Sequence, residues 1–315
     1  MKAMQFTAYG APEKLTLAEV PTPTPAAGQI LVRVRATSVN PIDWKLQSGM
    51  LRWVKPLRFP ATPCFDFSGT VSALGAGVGE WTLGDPVFGM LPMGELGAAA
   101  EYVAVSSLQA CRIPDGLDFQ TMAGLPLAGM TALQSLRDQG QLKPGQNVLV
   151  IGAAGGVGHF AVQIATLLGA RVTAICGSRN LEFCHDLGAE AVLDYTREDF
   201  AVTQAAFDLI LDCAGKEAFG RWQPALKPEG RFVALLPSLS LGVQALKQRL
   251  CTRQRLGIAF VKPRRSDLAW LAEQVSEGRL RTVVDQVFPL QDLAAAFEKS
   301  RAGHARGKII ITVGE

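Results

Sequence analysis

Val148–Gly158 (VLVIGAAGGVG) constrains this chain more than any other stretch of it. Its β-favouring residues run into a glycine cluster, and the cluster runs straight into the helix-like His159–Leu168 (HFAVQIATLL). Strand, tight turn and returning helix form the opening unit of a parallel α/β sheet. The dinucleotide fingerprint Gly-x-Gly-x-x-Gly is met in the register Ala153-x-Gly155-x-x-Gly158, with alanine first and Gly152 just before it. Gly155 would let the backbone approach a pyrophosphate, and Gly158 would let the helix lie close to its strand. The helix N-terminus would offer free N–H groups to phosphate. Ala154, Gly155, Gly156 and Val157 are therefore candidate cofactor-binding residues.

The alternation continues downstream. Arg171–Cys176, Ala191–Asp194, Leu209–Cys213 and Arg231–Leu235 read as strands, with helical segments such as Leu181–Leu187 between them. These strands are apolar without alternation, as expected when both sheet faces are covered, so a doubly wound parallel sheet is expected. The second strand ends in Cys176-Gly177-Ser178-Arg179-Asn180, which lacks the acidic residue that would bind a ribose 2′-hydroxyl. Arg179 can pair with a 2′-phosphate and Ser178 can donate to it, so the cofactor is expected to be NADPH rather than NADH.

The flanking regions have another pattern. Ile30–Ala36 alternates apolar and polar residues, and Phe67–Leu74, Val87–Met90 and Glu101–Val105 are further short strands. Asp267–Glu277 and Leu290–Ser300 read as helices, and Lys308–Val313 as a last strand that returns to the first domain. The expected domains are residues 1–117 with 266–315, and residues 118–265, in keeping with about two domains for 315 residues.

A net charge of +3 does not point to nucleic acid, and no apolar run reaches membrane-spanning length. The basic cluster Lys262-Pro263-Arg264-Arg265 reads as a solvated face. The six cysteines contain no Cys-x-x-Cys pair or zinc-site spacing, and the N-terminus lacks a signal-peptide core. A cytoplasmic protein with separate reduced thiols is expected. His159, His185 and His304 have no nucleophile motif beside them.

Six motifs together complete the picture: Ser38-Val39-Asn40-Pro41-Ile42-Asp43, Asp66-Phe67-Ser68-Gly69, Gly84-Asp85-Pro86-Val87-Phe88, Leu125–Ala132, the Gly152–Gly158 turn and Arg306-Gly307-Lys308. In this order they resemble the zinc-independent quinone oxidoreductase branch of the medium-chain dehydrogenase/reductases. The resemblance implies a GroES-like, mostly β catalytic domain with an inserted Rossmann domain. It implies hydride transfer from NADPH to a quinone or α,β-unsaturated carbonyl. Cys64-Phe65-Asp66 stands where zinc alcohol dehydrogenases have Gly-His-Glu, and their four-cysteine lobe is missing, so no metal site is expected.

By the same resemblance, Asn40 lies beside the nicotinamide and the substrate, and Lys45 falls where many relatives have a tyrosine; these two are the candidate catalytic residues. Thr131 matches a nicotinamide-ribose contact, Tyr195 the adenine end, Cys213 the end of the fourth strand, and Leu235, Leu236 and Pro237 the loop along the nicotinamide. Arg306 and Lys308 match a basic pair near the cleft. Relatives of this type are commonly homodimers. The binding turn would look the same in a protein that binds NADPH without turnover, as a sensor, and zinc alcohol dehydrogenase is the remaining alternative.

Overall fold

The protein is described by a computed structural model covering residues 1–197, 205–215, 219–235 and 253–314. It divides into two compact units, residues 1–130 with 262–315, and residues 131–261.

The second unit holds a six-stranded sheet. Across it lie Ala191–Asp194, Arg171–Cys176, Asn147–Ile151, Phe207–Asp212, Leu226–Ala234 and Arg255–Ile258, all parallel. Numbered along the chain, the order is 3-2-1-4-5-6, with a switch point between Asn147–Ile151 and Phe207–Asp212. Ligands of open α/β sheets bind beyond the strand C-termini at such a switch. Val148, Leu149 and Val150 are fully buried, which accounts for the missing alternation. The helix Gly158–Leu167 is buried from Gly158 to Ala165, so it too is apolar nearly all round. Arg255–Ile258 lies at the sheet edge and is half exposed; four residues with a glycine among them give no pattern to read.

In the first unit the long strand Gln29–Val39 organises the sheet. It pairs antiparallel with Asp66–Leu74, Tyr102–Ser106 and Lys308–Thr312. The last of these also pairs, in parallel, with Val284–Pro289. The C-terminal strand thus completes a sheet begun near the N-terminus, with Ile309 opposite Val39. Phe119–Ala123, capped by the Asp118 carboxylate on Thr121 N–H at 2.8 Å, packs on Gln29–Val39 and Asp66–Leu74. That packing keeps the helix with the first unit, although the sequence pattern changes at 118. The helical stretch breaks before Pro126, which starts Pro126–Gln134, because proline fits a first helical turn and not an interior. No helix among the described residues is long and apolar enough to cross a membrane.

Candidate functional site

The glycine turn of the second unit is built as a cradle. Gly152, at φ +73°, takes the left-handed turn directly after the strand, so it does the work expected of the alanine that follows it. The N–H groups of Gly152 and Ala153 both donate to the Ile175 carbonyl, at 3.1 and 3.0 Å. A Cβ on Gly158 would collide with the Gly152 carbonyl oxygen, which fixes glycine there for packing. Gly155 differs: a Cβ would meet only that same oxygen, at 3.4 Å. The fold does not require a bare backbone at Gly155, whereas a ligand lying on it would. The N–H groups of Gly156, Val157 and Gly158 have no acceptor among the described residues. His159 is fully buried, and its Nδ1 donates to the Gly155 carbonyl at 3.0 Å, which makes it a support of the turn. Free N–H groups at a helix start around a half-exposed bare backbone fit a pyrophosphate.

At the ends of the second and third strands stand Ser178, Arg179 and Tyr195. Tyr195 is 60% exposed, and its phenol oxygen comes within 3.4 Å of where a Gly177 Cβ would sit. Arg179 is exposed and has no ion-pair partner among the described residues. Sequence reasoning missed Asp194, which ends the third strand opposite Cys176. Ser178 Oγ donates to Asp194 Oδ2 at 2.5 Å, and Thr196 Oγ1 donates to Oδ1 at 2.7 Å. The two hydroxyls also touch each other at 2.7 Å. These donors, Ser178 foremost, hold the Asp194 carboxyl below the usual carboxylate range, so it is ionised at neutral pH. Two hydroxyl protons serve three short contacts, and Ser178 in this arrangement has no proton left for a phosphate. Parallel pairing of the third strand was the available signal: it brings residue 194 level with the end of the second strand.

Two further candidates lie at the same sheet edge. Cys213 donates its N–H to the Ile151 carbonyl at 3.0 Å, and Leu235 to the Asp212 carbonyl at 3.2 Å. Burial pushes the Cys213 thiol well up. The Asp212 carboxylate accepts the N–H groups of Ala214 and Gly215, at 3.0 and 2.9 Å, and so shapes the turn. Leu236 and Pro237 lie outside the described residues. Thr131, half buried, lies in Pro126–Gln134.

The first unit contains a buried polar cluster around Asn40. Lys308 Nζ donates to Asn40 Oδ1 at 2.6 Å, and Asn40 Nδ2 donates to Asp66 Oδ2 at 2.7 Å. Asp66 also receives Ser38 Oγ at 2.6 Å and Leu127 N–H at 2.8 Å. Lys308 Nζ lies 3.8 Å from the Asp66 carboxylate. All of these side chains are 2% exposed or less. Burial pushes the Asp66 carboxyl up and the Lys308 ammonium down. The hydrogen bonds nonetheless match the charged forms, since three donors converge on Asp66 and only oxygens face Lys308. Asp43 accepts the Asn40 N–H at 2.7 Å, but its Oδ1 has no partner. Burial, with the Asp66 charge adding to it, pushes Asp43 up to about 8, so it carries a proton at neutral pH.

Lys308, expected as a cofactor contact, is thus inside this cluster, locking the Asn40 amide. A flipped amide would set N–H against ammonium and oxygen against carboxylate. Lys45 stands apart from the cluster in the helix Pro41–Gln47, half buried, with Nζ over the Trp44 ring at 5.4 Å and its ammonium pKa lowered by burial. Arg306 is exposed, and its N–H donates to Asp285 at 3.1 Å.

The donor set does not suit zinc. Cys64 is fully buried and its thiol is pushed up by burial; Phe65 offers no ligand atom; both Asp66 oxygens already accept donors. Among the described residues no group of three or more His, Cys, Asp or Glu is placed to hold a metal ion.

A strand order of 3-2-1-4-5-6 with a glycine cradle at its switch point defines a dinucleotide-binding α/β unit. Comparison with known proteins agrees. Residues 26–115 match the family described as alcohol dehydrogenase GroES-like domain, and residues 187–311 the one described as zinc-binding dehydrogenase. The chain is 36% identical over 322 residues to the Arabidopsis thaliana chloroplast envelope quinone oxidoreductase homolog, covering 99% of this chain and 98% of that one. The solved quinone oxidoreductase from Coxiella burnetii is 34% identical, with a TM-score of 0.91 over 100% of this chain and 99% of the other. The Escherichia coli quinone oxidoreductase, solved in complex with NADPH, is 25% identical, with a TM-score of 0.86 over 99% of this chain and 100% of its own. The chain belongs to the quinone oxidoreductase branch of the medium-chain dehydrogenase/reductase superfamily.

Proposed function

We propose that this protein is an NADPH-dependent reductase of quinones or α,β-unsaturated carbonyls that works without zinc. The observation that carries the reading is the Gly155 cradle, bare where only a ligand calls for it, at the switch point of a dinucleotide-type sheet. Names of the relatives support the acceptor class, and the Cys64-Phe65-Asp66 donor set supports the zinc-free chemistry.

Ala154 to Val157 hold the pyrophosphate, and Arg179 pairs with the 2′-phosphate while Tyr195 covers the adenosine end. When bound, the reduced nicotinamide supplies the hydride. A conjugated acceptor spreads the charge that develops, so it needs less help than a simple carbonyl does from a Lewis acid. The Asn40 amide, with one N–H given to Asp66 and its oxygen held by Lys308, keeps a second N–H for the acceptor oxygen. The proton comes from solvent. Lys45 adds positive charge from Pro41–Gln47, and Thr131, Cys213 and Leu235 line the cofactor. All five described cysteines are free, which supports a reducing, cytoplasmic setting.

Titration with NADPH and NADH, followed by cofactor fluorescence, tests the reading. NADPH should bind at least about tenfold more tightly, a gap of about 1.4 kcal/mol. Arg179→Gln should erase that gap and leave NADH binding unchanged. Equal affinities in the wild type would sink the 2′-phosphate assignment. Tight NADPH binding with no consumption across a panel of quinones and enones would make the protein a sensor instead.

A further inference from the structure

We infer that Met50, Trp53 and Val54 form an interfacial anchor by which the first unit docks on the surface of an anionic phospholipid bilayer. Trp53 and Val54 are each 86% exposed, and Met50 is 64% exposed. They fall within five residues of chain. From Trp44 to Phe65 there is no acidic residue, while Lys45, Arg52, Lys55 and Arg58 are basic. An overall charge of +3 gives only a weak general attraction to anionic lipid, so a strong attraction has to be local to this segment.

The loop is held in place. Arg52 N–H donates to the Gly49 carbonyl at 3.1 Å, and the Val54 and Lys55 N–H groups donate to the Leu51 carbonyl at 3.0 and 2.8 Å. Its far end is pinned by Leu57 N–H on the Tyr9 hydroxyl at 2.8 Å and by Phe59 edge-on to Tyr9 at 4.9 Å. Ordinary folding would tuck a tryptophan under such a frame; here the frame holds it out. The Arg52 guanidinium lies 5.1 Å from the Trp53 ring centroid, and Arg58 and Lys14 are exposed nearby, Lys14 bonded to the Tyr9 carbonyl at 3.0 Å. Lys55 turns inward over Phe65, and exposed Glu13 is the acidic neighbour of Lys14. A protruding apolar tip with a cationic collar suits a bilayer interface: the tip enters the acyl boundary and the collar meets phosphates. A protein partner would instead have to offer a matching pocket, whereas a fluid bilayer takes a convex tip of any shape.

The test does not depend on turnover. Of the five tryptophans, Trp53 is the exposed one; Trp81 and Trp222 are buried and Trp44 and Trp270 half-buried. Vesicles of phosphatidylcholine with about one-third phosphatidylglycerol should sediment the protein at low salt at least about tenfold better than phosphatidylcholine alone. Brominated acyl chains should quench part of the tryptophan emission. Trp53→Phe should keep the binding and lose the quenching; Trp53→Ser with Val54→Ser should lose the binding while thermal unfolding and NADPH affinity stay as in the wild type. Sedimentation no better than with neutral lipid overturns the proposal, as does undiminished binding of the double variant. It is also overturned if the wild type elutes as a dimer that the double variant breaks, because a second copy then covers the patch.

Discussion

With two carboxylates and one ammonium taken out of water around Asn40, Lys308 can neutralise only one acid, and the donors on Asp66 decide which. Asp43 takes up a proton instead, at about 8. Its folded-state value lies above the unfolded one, so the stability it contributes is full below about pH 4 and is lost as pH rises towards 8. Urea unfolding of the wild type should weaken across that window, by at most about 1.4 kcal/mol per pH unit. Asp43→Asn keeps an acceptor for the Asn40 N–H and has no proton to lose, so its unfolding midpoint should fall less than that of the wild type from pH 5 to pH 8.5. Lys308→Met should cost about 3–5 kcal/mol, because it strands the Asp66 charge. Lys308→Met combined with Asp66→Asn should recover part of that loss in thermal melts.

Two glycines three residues apart in the Val148–Gly158 turn separate what the fold requires from what a ligand requires. Gly158→Ala pushes a methyl into backbone, and chemical denaturation should record a loss of about 1–3 kcal/mol. Gly155→Ala meets nothing closer than 3.4 Å, so its stability should stay within about 0.5 kcal/mol of the wild type. Its NADPH affinity should nonetheless fall by roughly tenfold or more. Sequence pattern alone located this turn, because strand, glycines and helix are contiguous. It located buried strands such as Asn147–Ile151 and Lys308–Thr312 too, since each holds an unbroken apolar run, Val148–Ile151 and Ile309–Ile311. What it missed depends on pairing. Asp194 is a neighbour of Ser178 only through the parallel register of Ala191–Asp194. Lys308 reads as a basic residue at a chain end, and only its antiparallel place beside Gln29–Val39 puts it under Asn40.

At the scale of the whole molecule the two units differ in how their chain is assembled. One is a continuous stretch, 131–261; the other is made of two stretches, 1–130 and 262–315. Hydrogen exchange should find the amides of Lys308–Thr312 in the same slow class as those of Gln29–Val39, because neither strand is fully paired without the other. Fast exchange confined to the C-terminal strand would show that it is dispensable to the sheet. The separation also sets a schedule on the ribosome. At about 5–20 residues per second, Lys308 emerges on the order of tens of seconds after Asn40 and Asp66. During that interval Asp66 has no counter-ion and the Ala36–Val39 edge lacks its partner, and by its end the six described strands of the nucleotide-binding sheet have all been made. The nascent chain therefore carries a folded domain ahead of an open sheet, and chaperones that hold bare strand edges have their window there, before the last strand is made.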